Sequence, residues 1–298
     1  MNSRLAHGVA GAFLAAALFC PPVMAQLSDN LGALSGDNAK GYLGPLTSGL
    51  SGTLNAAVFS GGNIPLTGLN FNVGVRLMGI SFDDGDRTYT PKDPPGFNGN
   101  GSSVQAPTVI GDTQAVAQSG QGGTTLYHPG GFDLSNFAVA VPQATIGSVF
   151  GTRAVVRYIT LDLGDSELGD FTLWGVGAQH SVSRYFPAMP LNLAAGIFYQ
   201  KFEIGEDLVD ATALHYGVTA SKSFGLFEPY ATVGFDQLDM KSKYESSSDG
   251  STIEVDFDSS TDAHFTIGST LGLAVAKLYG EVNFAAETGV AVGLSFGN

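Results

Sequence analysis

Most of the chain alternates apolar and polar residues with the period of a β-strand. The clearest run is 69–77, with the sequence LNFNVGVRL, in which every second residue is apolar. A period of two gives a strand one apolar face and one polar or mixed face. Residues that favour turns separate such runs, and we predict strands at 69–82, 137–147, 152–162, 171–182, 191–204, 211–223, 226–243, 251–273, 276–285 and 289–297.

The connections between these strands alternate in length. Four are short, at 148–151, 183–190, 224–225 and 274–275, whereas the alternate ones include the long segment 83–135, which is rich in Gly, Pro, Asn and Ser. Short periplasmic turns, long outer loops and an even number of strands are typical of bacterial outer-membrane barrels. We therefore predict an all-β fold over residues 63–298, a transmembrane antiparallel β-barrel of about ten strands.

Two details of this barrel stay open at this stage. Ser259 and Ser260 predict a kink or break within the strand at 251–273. A hairpin within 104–117 would raise the count to about twelve strands, which also fits the even-number rule.

The N-terminal part of the chain carries two other patterns. Arg4, an apolar run at 9–19 and small residues at 23–25 predict a signal peptide over residues 1–25, cleaved after Ala25. In residues 26–62, leucines and Tyr42 recur at helical spacing, with Asp37 available as an N-cap and Pro45 dividing the segment into two short helices. We expect this helical segment to plug the lumen or to lie on the periplasmic side; an ordinary packed helix pair is the alternative.

The composition agrees with a barrel and excludes one class of partner. The chain contains 41 Gly, 20 Phe and 10 Tyr but only 13% charged residues, whereas soluble domains contain about 25%. A net charge of −14 argues against a nucleic-acid partner, because binding to phosphates needs cations. Most of the carboxylates, Asp236 among them, fall in or beside the predicted outer loops, which predicts an acidic outer rim.

The last strand predicts where the protein is delivered. Val290, Val292, Leu294 and Phe296 form its apolar face, so that an aromatic residue stands near the C-terminus. Such a strand predicts a sorting signal, centred on Phe296, for the barrel-assembly machinery. The predicted location is the cell outer membrane, and the expected partners are its lipids and lipopolysaccharide.

The sequence contains no recognisable catalytic constellation. The histidines lack metal-binding spacing, and there is no Gly-x-Ser-x-Gly elbow to hold a nucleophilic serine. We therefore predict neither enzymatic activity nor a cofactor. One acidic cluster offers the oxygen ligands that calcium prefers, although a solvated rim is the interpretation that we favour. Its members are Asp249, Glu254, Asp256, Asp258 and Asp262.

The alternation also predicts which polar residues face the lumen. Their charges have both signs, so we expect them to pair as a structural network. A barrel of this size also leaves no room for an aqueous channel of porin width. The predicted lumen residues are Arg76, Arg157, Gln179, Gln200, His215, Glu228, Tyr230, Tyr279, Glu281 and Asn283.

Several short motifs resemble an uncharacterised bacterial family of outer-membrane β-barrel proteins. They lie at 36–46, 52–57, 142–147, 155–158, 173–180 and 185–193, so that the similarity extends over most of the mature chain in short motifs, whereas the loop at 83–135 does not match. The resemblance implies a barrel and an outer-membrane location, and it carries over no catalytic residues. A helical segment before a barrel is also similar, at the level of fold, to the long-chain fatty-acid transport porins.

Two functions are compatible with these features. The first is passive uptake or binding of a small hydrophobic ligand, suggested by the helical segment ahead of the strands. The alternative is a structural or surface-interaction barrel that acts through its long acidic outer loops. A soluble periplasmic β protein is a third interpretation.

Overall fold

Ten antiparallel strands form a closed barrel in the computed structural model, which describes residues 21–101, 103–162, 170–186, 188–205 and 207–297. The strands are β1 (Thr67–Ser81), β2 (Asn136–Val149), β3 (Thr152–Asp162), β4 (Asp170–Ser181), β5 (Asn192–Ile204), β6 (Val209–Ser221), β7 (Phe227–Glu245), β8 (Thr252–Leu273), β9 (Ala276–Phe284) and β10 (Thr288–Gly297). Each strand pairs with its neighbours along the chain, and β1 also pairs with β10. The sheet therefore has no free edge.

The observed strands confirm the predicted barrel and settle the two open details. The long loop holds two short ladders, 88–89 with 106–107 and 116–119 with 125–128, but both lie outside the barrel sheet. The predicted break in β8 is a β-bulge, because Leu238 pairs with Ser260 whereas Met240 pairs with Phe257. One extra residue in β8 is accommodated there.

The exterior of the barrel is apolar over the part that adjoins the short turns. Val75, Ile197, Val233 and Val290 are examples of exterior side chains that stay exposed. We call this end of the barrel the turn end and the opposite end the loop end. Short turns face the periplasm in outer-membrane barrels, so the loop end faces the outside. Among the described residues, no helix is both long and apolar enough to cross a membrane.

The strands β7 and β8 extend beyond the apolar zone at the loop end. Past Phe235 the exterior residues of β7 become polar or charged, and Lys241 forms an ion pair with Asp256 of β8, at 2.9 Å. Charged exterior residues are costly within lipid, so this part of the hairpin stands outside the membrane.

Two helices, α1 (Pro21–Gly32) and α2 (Gly36–Leu54), precede β1. We call residues 26–66 the threaded segment, because they pass through the barrel. At the loop end, the Gly32 carbonyl accepts a hydrogen bond from the Ser247 amide, at 2.8 Å. At the turn end, the Pro65 carbonyl accepts one from the Ser148 hydroxyl. The segment thus enters the lumen at the loop end and leaves it at the turn end, where β1 begins.

The helices differ in detail from the prediction. The N-cap position of α2 is Ser35 and not Asp37, which lies in the first turn. Pro45 lies inside a continuous helix, and the division falls instead between Gly32 and Gly36. A proline in a helix interior costs about 3 kcal/mol, and the packing of α2 in the lumen outweighs that cost. Residues 1–20 of the predicted signal peptide lie outside the described residues, and its cleavage after Ala25 stays a prediction.

The loop at 82–135 folds over the loop end and joins the interior. The Val109 amide donates to the Tyr42 carbonyl at 2.8 Å, and Asn30 Nδ2 donates to the Gly130 carbonyl at 3.0 Å. Val109, Ile110 and Leu134 of the loop are buried in the same apolar cluster as α1, α2 and the interior faces of the strands. The barrel therefore has an apolar core at its loop end that resembles the core of a soluble domain.

Candidate functional site

The polar residues of the barrel interior form the candidate functional site. All ten residues predicted from the alternation lie on interior positions of their strands. Eight are buried: Arg76, Arg157, Gln179, Gln200, His215, Tyr230, Glu281 and Asn283. The other two, Glu228 and Tyr279, border a cavity at the turn end.

Three of these residues hold the threaded segment where α2 ends. Arg157 Nη1 donates to the Leu54 carbonyl at 2.8 Å, and its Nη2 donates to the Ala56 carbonyl at 2.7 Å. Gln200 Nε2 donates to the Leu54 carbonyl at 2.6 Å, and Glu281 Oε1 accepts from the Ala57 amide at 2.6 Å. We call Arg157, Gln200 and Glu281 the segment clamp.

The segment clamp fits the chemistry of a helix end. The last carbonyls of a helix have no intrahelical partners and carry partial negative charge. A guanidinium presents several donors in a rigid fork, so Arg157 can satisfy the Leu54 carbonyl at the helix end and the Ala56 carbonyl just beyond it at once. Two further bonds orient the clamp, because Arg157 Nε donates to Gln143 Oε1 at 2.7 Å and the Tyr230 hydroxyl donates to Glu281 Oε2 at 2.6 Å.

A second group lies beside the clamp and was missed by the sequence reasoning. Asp236 Oδ1 lies 2.7 Å from His215 Nδ1, and its Oδ2 lies 2.6 Å from His264 Nδ1. We call these three residues the imidazole cluster. All three are buried, and Asp236 is 0% exposed. The assignment of Asp236 to the acidic outer rim was therefore wrong, because β7 is long enough to carry this position into the barrel.

The pairing of neighbouring strands could have revealed this cluster. His215 and Asp236 are direct partners across the β6–β7 hairpin, whose tight turn lies at 225–226, because Phe224 pairs with Phe227. A hairpin folds symmetrically about its turn, so residues equally far from the turn face each other. The spacing of His215 and Asp236 about that turn was the signal available in the sequence.

The turn end holds an interior cavity of about 290 Å³. Arg153, Lys277 and Glu228 contribute its charges, and the threaded segment contributes one wall. Arg153 is held by the Gly61 carbonyl at 2.7 Å and by Gln179 Oε1 at 2.6 Å. The cavity is polar and does not continue past the segment clamp, where the interior side chains are buried.

The acidic candidates for calcium do not converge. Asp249 accepts from the Ser251 hydroxyl and amide, and these hydrogen bonds lower the pKa of its carboxyl. Glu254 and Asp256 instead flank Lys241, and the side chain of Asp258 lies outside the described residues. Within the described part of the chain, the group whose donor atoms lie close enough to share an ion is the imidazole cluster.

Comparison with protein families identifies the chain. The model of DUF6588, a family of unknown function, matches residues 8–298. The protein belongs to the DUF6588 family. The predicted resemblance to an uncharacterised barrel family is thereby confirmed. No curated protein matches the sequence.

Solved structures similar to this DUF6588 protein are barrels of diverse kinds. The outer membrane protease OmpT from Escherichia coli is 9% identical, with 79% of this chain and 98% of that chain covered and a TM-score of 0.38. The toluene transporter TbuX from Ralstonia pickettii is 11% identical, covering 80% and 92%, with a TM-score of 0.30. A FadL homologue from Pseudomonas aeruginosa is 9% identical, covering 84% and 97%, with a TM-score of 0.27.

The interior of this DUF6588 barrel therefore has three layers. An apolar core surrounds α1 and α2 at the loop end. The segment clamp and the imidazole cluster form a hydrogen-bonded layer in the middle. The polar cavity lies at the turn end. This outer-membrane barrel is occupied along its axis by its own N-terminal segment.

Proposed function

We propose that this protein is a closed outer-membrane barrel that acts by binding at its loop-end surface, and neither as an open pore nor as an enzyme. The threaded segment carries this proposal. Interior residues around α2, such as Met78, Leu173, Phe202 and Leu238, are between 0% and 1% exposed. Their burial supports a lumen that is closed around α2, and a closed lumen would not conduct ions.

The folded loop at 82–135 supports a role in binding. It is anchored to α1 and α2 by the hydrogen bonds of Asn30, Val109 and Gly130, so it presents a fixed surface. Asp84 and Asp112 are exposed on it. Carboxylates bind divalent cations, which also bridge the phosphates of lipopolysaccharide. The partner that we propose is lipopolysaccharide bound through such cations.

The first test measures conductance. The purified protein in a planar lipid bilayer is expected to show no steps above the protein-free baseline. Deletion of residues 26–62 is expected to produce steps, because the lumen then lacks its filling. Heat-modifiable gel mobility shows that each protein is a folded barrel. Conductance of the full chain equal to that of the deletion variant would contradict the proposal.

The second test measures binding to lipopolysaccharide vesicles with magnesium present. Reversing the charge of the loop with Asp84→Lys and Asp112→Lys is expected to remove the dependence of binding on magnesium. Asn63→Lys, an exposed position at the turn end, is the matched control and should leave binding unchanged. If the loop variant and Asn63→Lys lost the magnesium-dependent binding equally, the loop would not be the binding surface.

One observation favours the uptake of a hydrophobic ligand as a second candidate. The interior of the loop-end half is lined by apolar side chains such as Phe171 and Phe202, whereas barrel lumens are commonly polar. A ligand could use this lining only if α2 moved aside. Liposomes carrying the full chain would then take up a lipid-like fluorescent probe faster than protein-free liposomes. Equal rates would remove this candidate.

A further inference from the structure

We propose that the imidazole cluster, His215, Asp236 and His264, is a binding site for a divalent transition-metal ion, with zinc as the best match. The three side chains come from the adjacent strands β6, β7 and β8 and meet inside the barrel. Each offers one donor atom, and these atoms all lie within 4.8 Å of one another. The proposal does not depend on the proposed function.

The donor set selects the class of ion. Two imidazole nitrogens and one carboxylate are ligands that zinc accepts at about 2.0–2.2 Å. Imidazole also suits cobalt and nickel. Calcium and magnesium prefer oxygen ligands throughout, so a site in which two of three donors are nitrogen disfavours them.

The hydrogen bonds around His264 show which of its ring nitrogens carries the proton and which is free to bind a metal ion. Asn283 Nδ2 donates to Glu281 Oε1 at 3.0 Å, so Asn283 Oδ1 points towards His264. Thr266 Oγ1 donates to the same Oδ1 at 2.7 Å. His264 Nε2 lies 2.9 Å from Asn283 Oδ1 and 3.0 Å from Thr266 Oγ1. Both oxygens can only accept from it, so the ring proton is on Nε2.

A ring proton on Nε2 means that positive charge is needed near the other ring nitrogen, Nδ1. With its proton on Nε2, a neutral His264 has a lone pair on Nδ1, and that lone pair faces Asp236 Oδ2 at 2.6 Å. Two lone pairs at this distance repel each other unless positive charge lies between them. Either a second ring proton or a metal ion supplies that charge. A ligating histidine whose other nitrogen donates to an oxygen is the usual arrangement at metal sites.

The surroundings also leave space for a water molecule as a fourth ligand beside His215. A void of about 10 Å³ borders His215, Thr232, Thr266 and Glu281, which is about the space of one water molecule. Zinc is usually four-coordinate, so three protein ligands and one water complete its shell. Such an ion would link three neighbouring strands under residues 57–59 of the threaded segment, which also border the void. Its role would be structural.

Burial determines how the ion enters. His215, Asp236 and His264 are between 0% and 3% exposed, so the folded barrel gives an ion no direct access. We expect uptake during folding, before the threaded segment covers the site. The full chain should therefore be unfolded in urea and refolded into detergent with zinc, with cobalt, or without added metal.

The test measures bound metal after removal of free ions by gel filtration. Protein refolded with zinc is expected to retain about one ion per chain, whereas zinc added after folding should not be retained. His264→Gln and Asp236→Asn are expected to lose the ion. The matched controls are His180→Gln, a histidine on the exterior position of β4, and Asp239→Asn on the exterior of β7. Both controls should retain it.

A spectroscopic measurement keeps the test decisive if the variants fail to fold. X-ray absorption of the zinc-refolded wild-type protein should show two imidazole nitrogens with oxygen ligands, and the cobalt form should show the visible bands of a tetrahedral ion. Folded wild-type protein without retained zinc, or with a coordination shell of oxygen alone, would overturn the proposal and assign a second proton to His264.

Discussion

The loop-end half and the middle of the barrel hold the same segment by different means. At the loop end, Leu43 and Leu50 of α2 lie in an apolar core and are 0% exposed. In the middle, Arg157, Gln200 and Glu281 hold the backbone at residues 54–57 by hydrogen bonds. Apolar contact is nondirectional and can tolerate a shift, whereas a hydrogen-bonded fork fixes a position. The comparison teaches that the apolar core supplies most of the stabilising contact with the segment, whereas the segment clamp fixes the position of the segment along the barrel axis.

The largest effect is expected from Arg157→Met. Removing the guanidinium leaves the Ala56 carbonyl and Gln143 Oε1 without this donor and the Leu54 carbonyl with Gln200 alone, and each unsatisfied buried acceptor costs about 1–3 kcal/mol. Hydrogen exchange at residues 54–58 should accelerate, and the free energy of unfolding in vesicles should fall. Arg157→Lys keeps the charge without the fork and should recover only part of the loss. Lys241→Met, at an exposed ion pair, is the control. Equal effects of the two methionine variants would refute the role of the clamp.

Leu50→Ala tests the apolar half of the comparison. Truncation of a buried leucine removes apolar contact and leaves a cavity, at a cost of about 2–5 kcal/mol. The register of residues 54–58 should stay unchanged, because the clamp remains. Leu46→Ala, at a half-buried position of the same helix, should cost less. Urea unfolding gives the stability, and hydrogen exchange reports the register. If Leu50→Ala reduced the protection from hydrogen exchange at 54–58 as much as Arg157→Met does, the apolar core and the segment clamp would not have separate roles.

Tyr230→Phe sharpens the account of the middle layer. Without the hydroxyl, Glu281 Oε2 loses its donor, and an unsatisfied buried acceptor costs about 1–3 kcal/mol. Tyr216→Phe, on the exterior of β6, is expected to have little effect. The midpoint of urea unfolding distinguishes them. Equal midpoints for the two variants would mean that Tyr230 does not support the clamp.

The smallest effect is a pH dependence confined to the outer loop. Burial lowers the pKa of His128 below its usual 6.5, and Asp93 opposes this only in part. The folded loop therefore disfavours the proton, so its stability is full above pH 6.5 and falls as the pH drops towards the lowered pKa. Hydrogen exchange at 116–128, corrected for its intrinsic rate, should accelerate over that range while 54–58 stays protected. His128→Gln should abolish the change, and persistence of the change in that variant would assign it to another group.

The strands could be predicted from the sequence because a single period decides them. In β1 the alternation from Leu69 to Leu77 is strict, and the tight turns place the strand ends within a few residues. The ten lumen positions follow from the same alternation. The path of the threaded segment could not be read in this way, because helical spacing shows that α2 has an apolar face and does not show at which end of a barrel it enters.

The imidazole cluster shows a second limit of such reasoning. Asp236 was counted with the outer acids because it is near the loop at 246–251 in sequence. In β7 the residues from Gln237 to Glu245 extend beyond the apolar zone, so nearness in sequence to a loop did not mean nearness to solvent. His264 joins the cluster from another hairpin, and the bulge near Ser260 alters the register on which that meeting depends.

The threaded segment also constrains the order of assembly. The barrel closes where β1 meets β10, with Val75 opposite Leu294, and the segment is joined directly to β1. A ring closed beforehand would have to be traversed lengthwise by α1, past side chains that fill it. An open sheet needs only to curve around the segment before β1 and β10 form their hydrogen bonds. Closure of the barrel and filling of its lumen then take place in the same step, which leaves the amino end of the segment at the loop end.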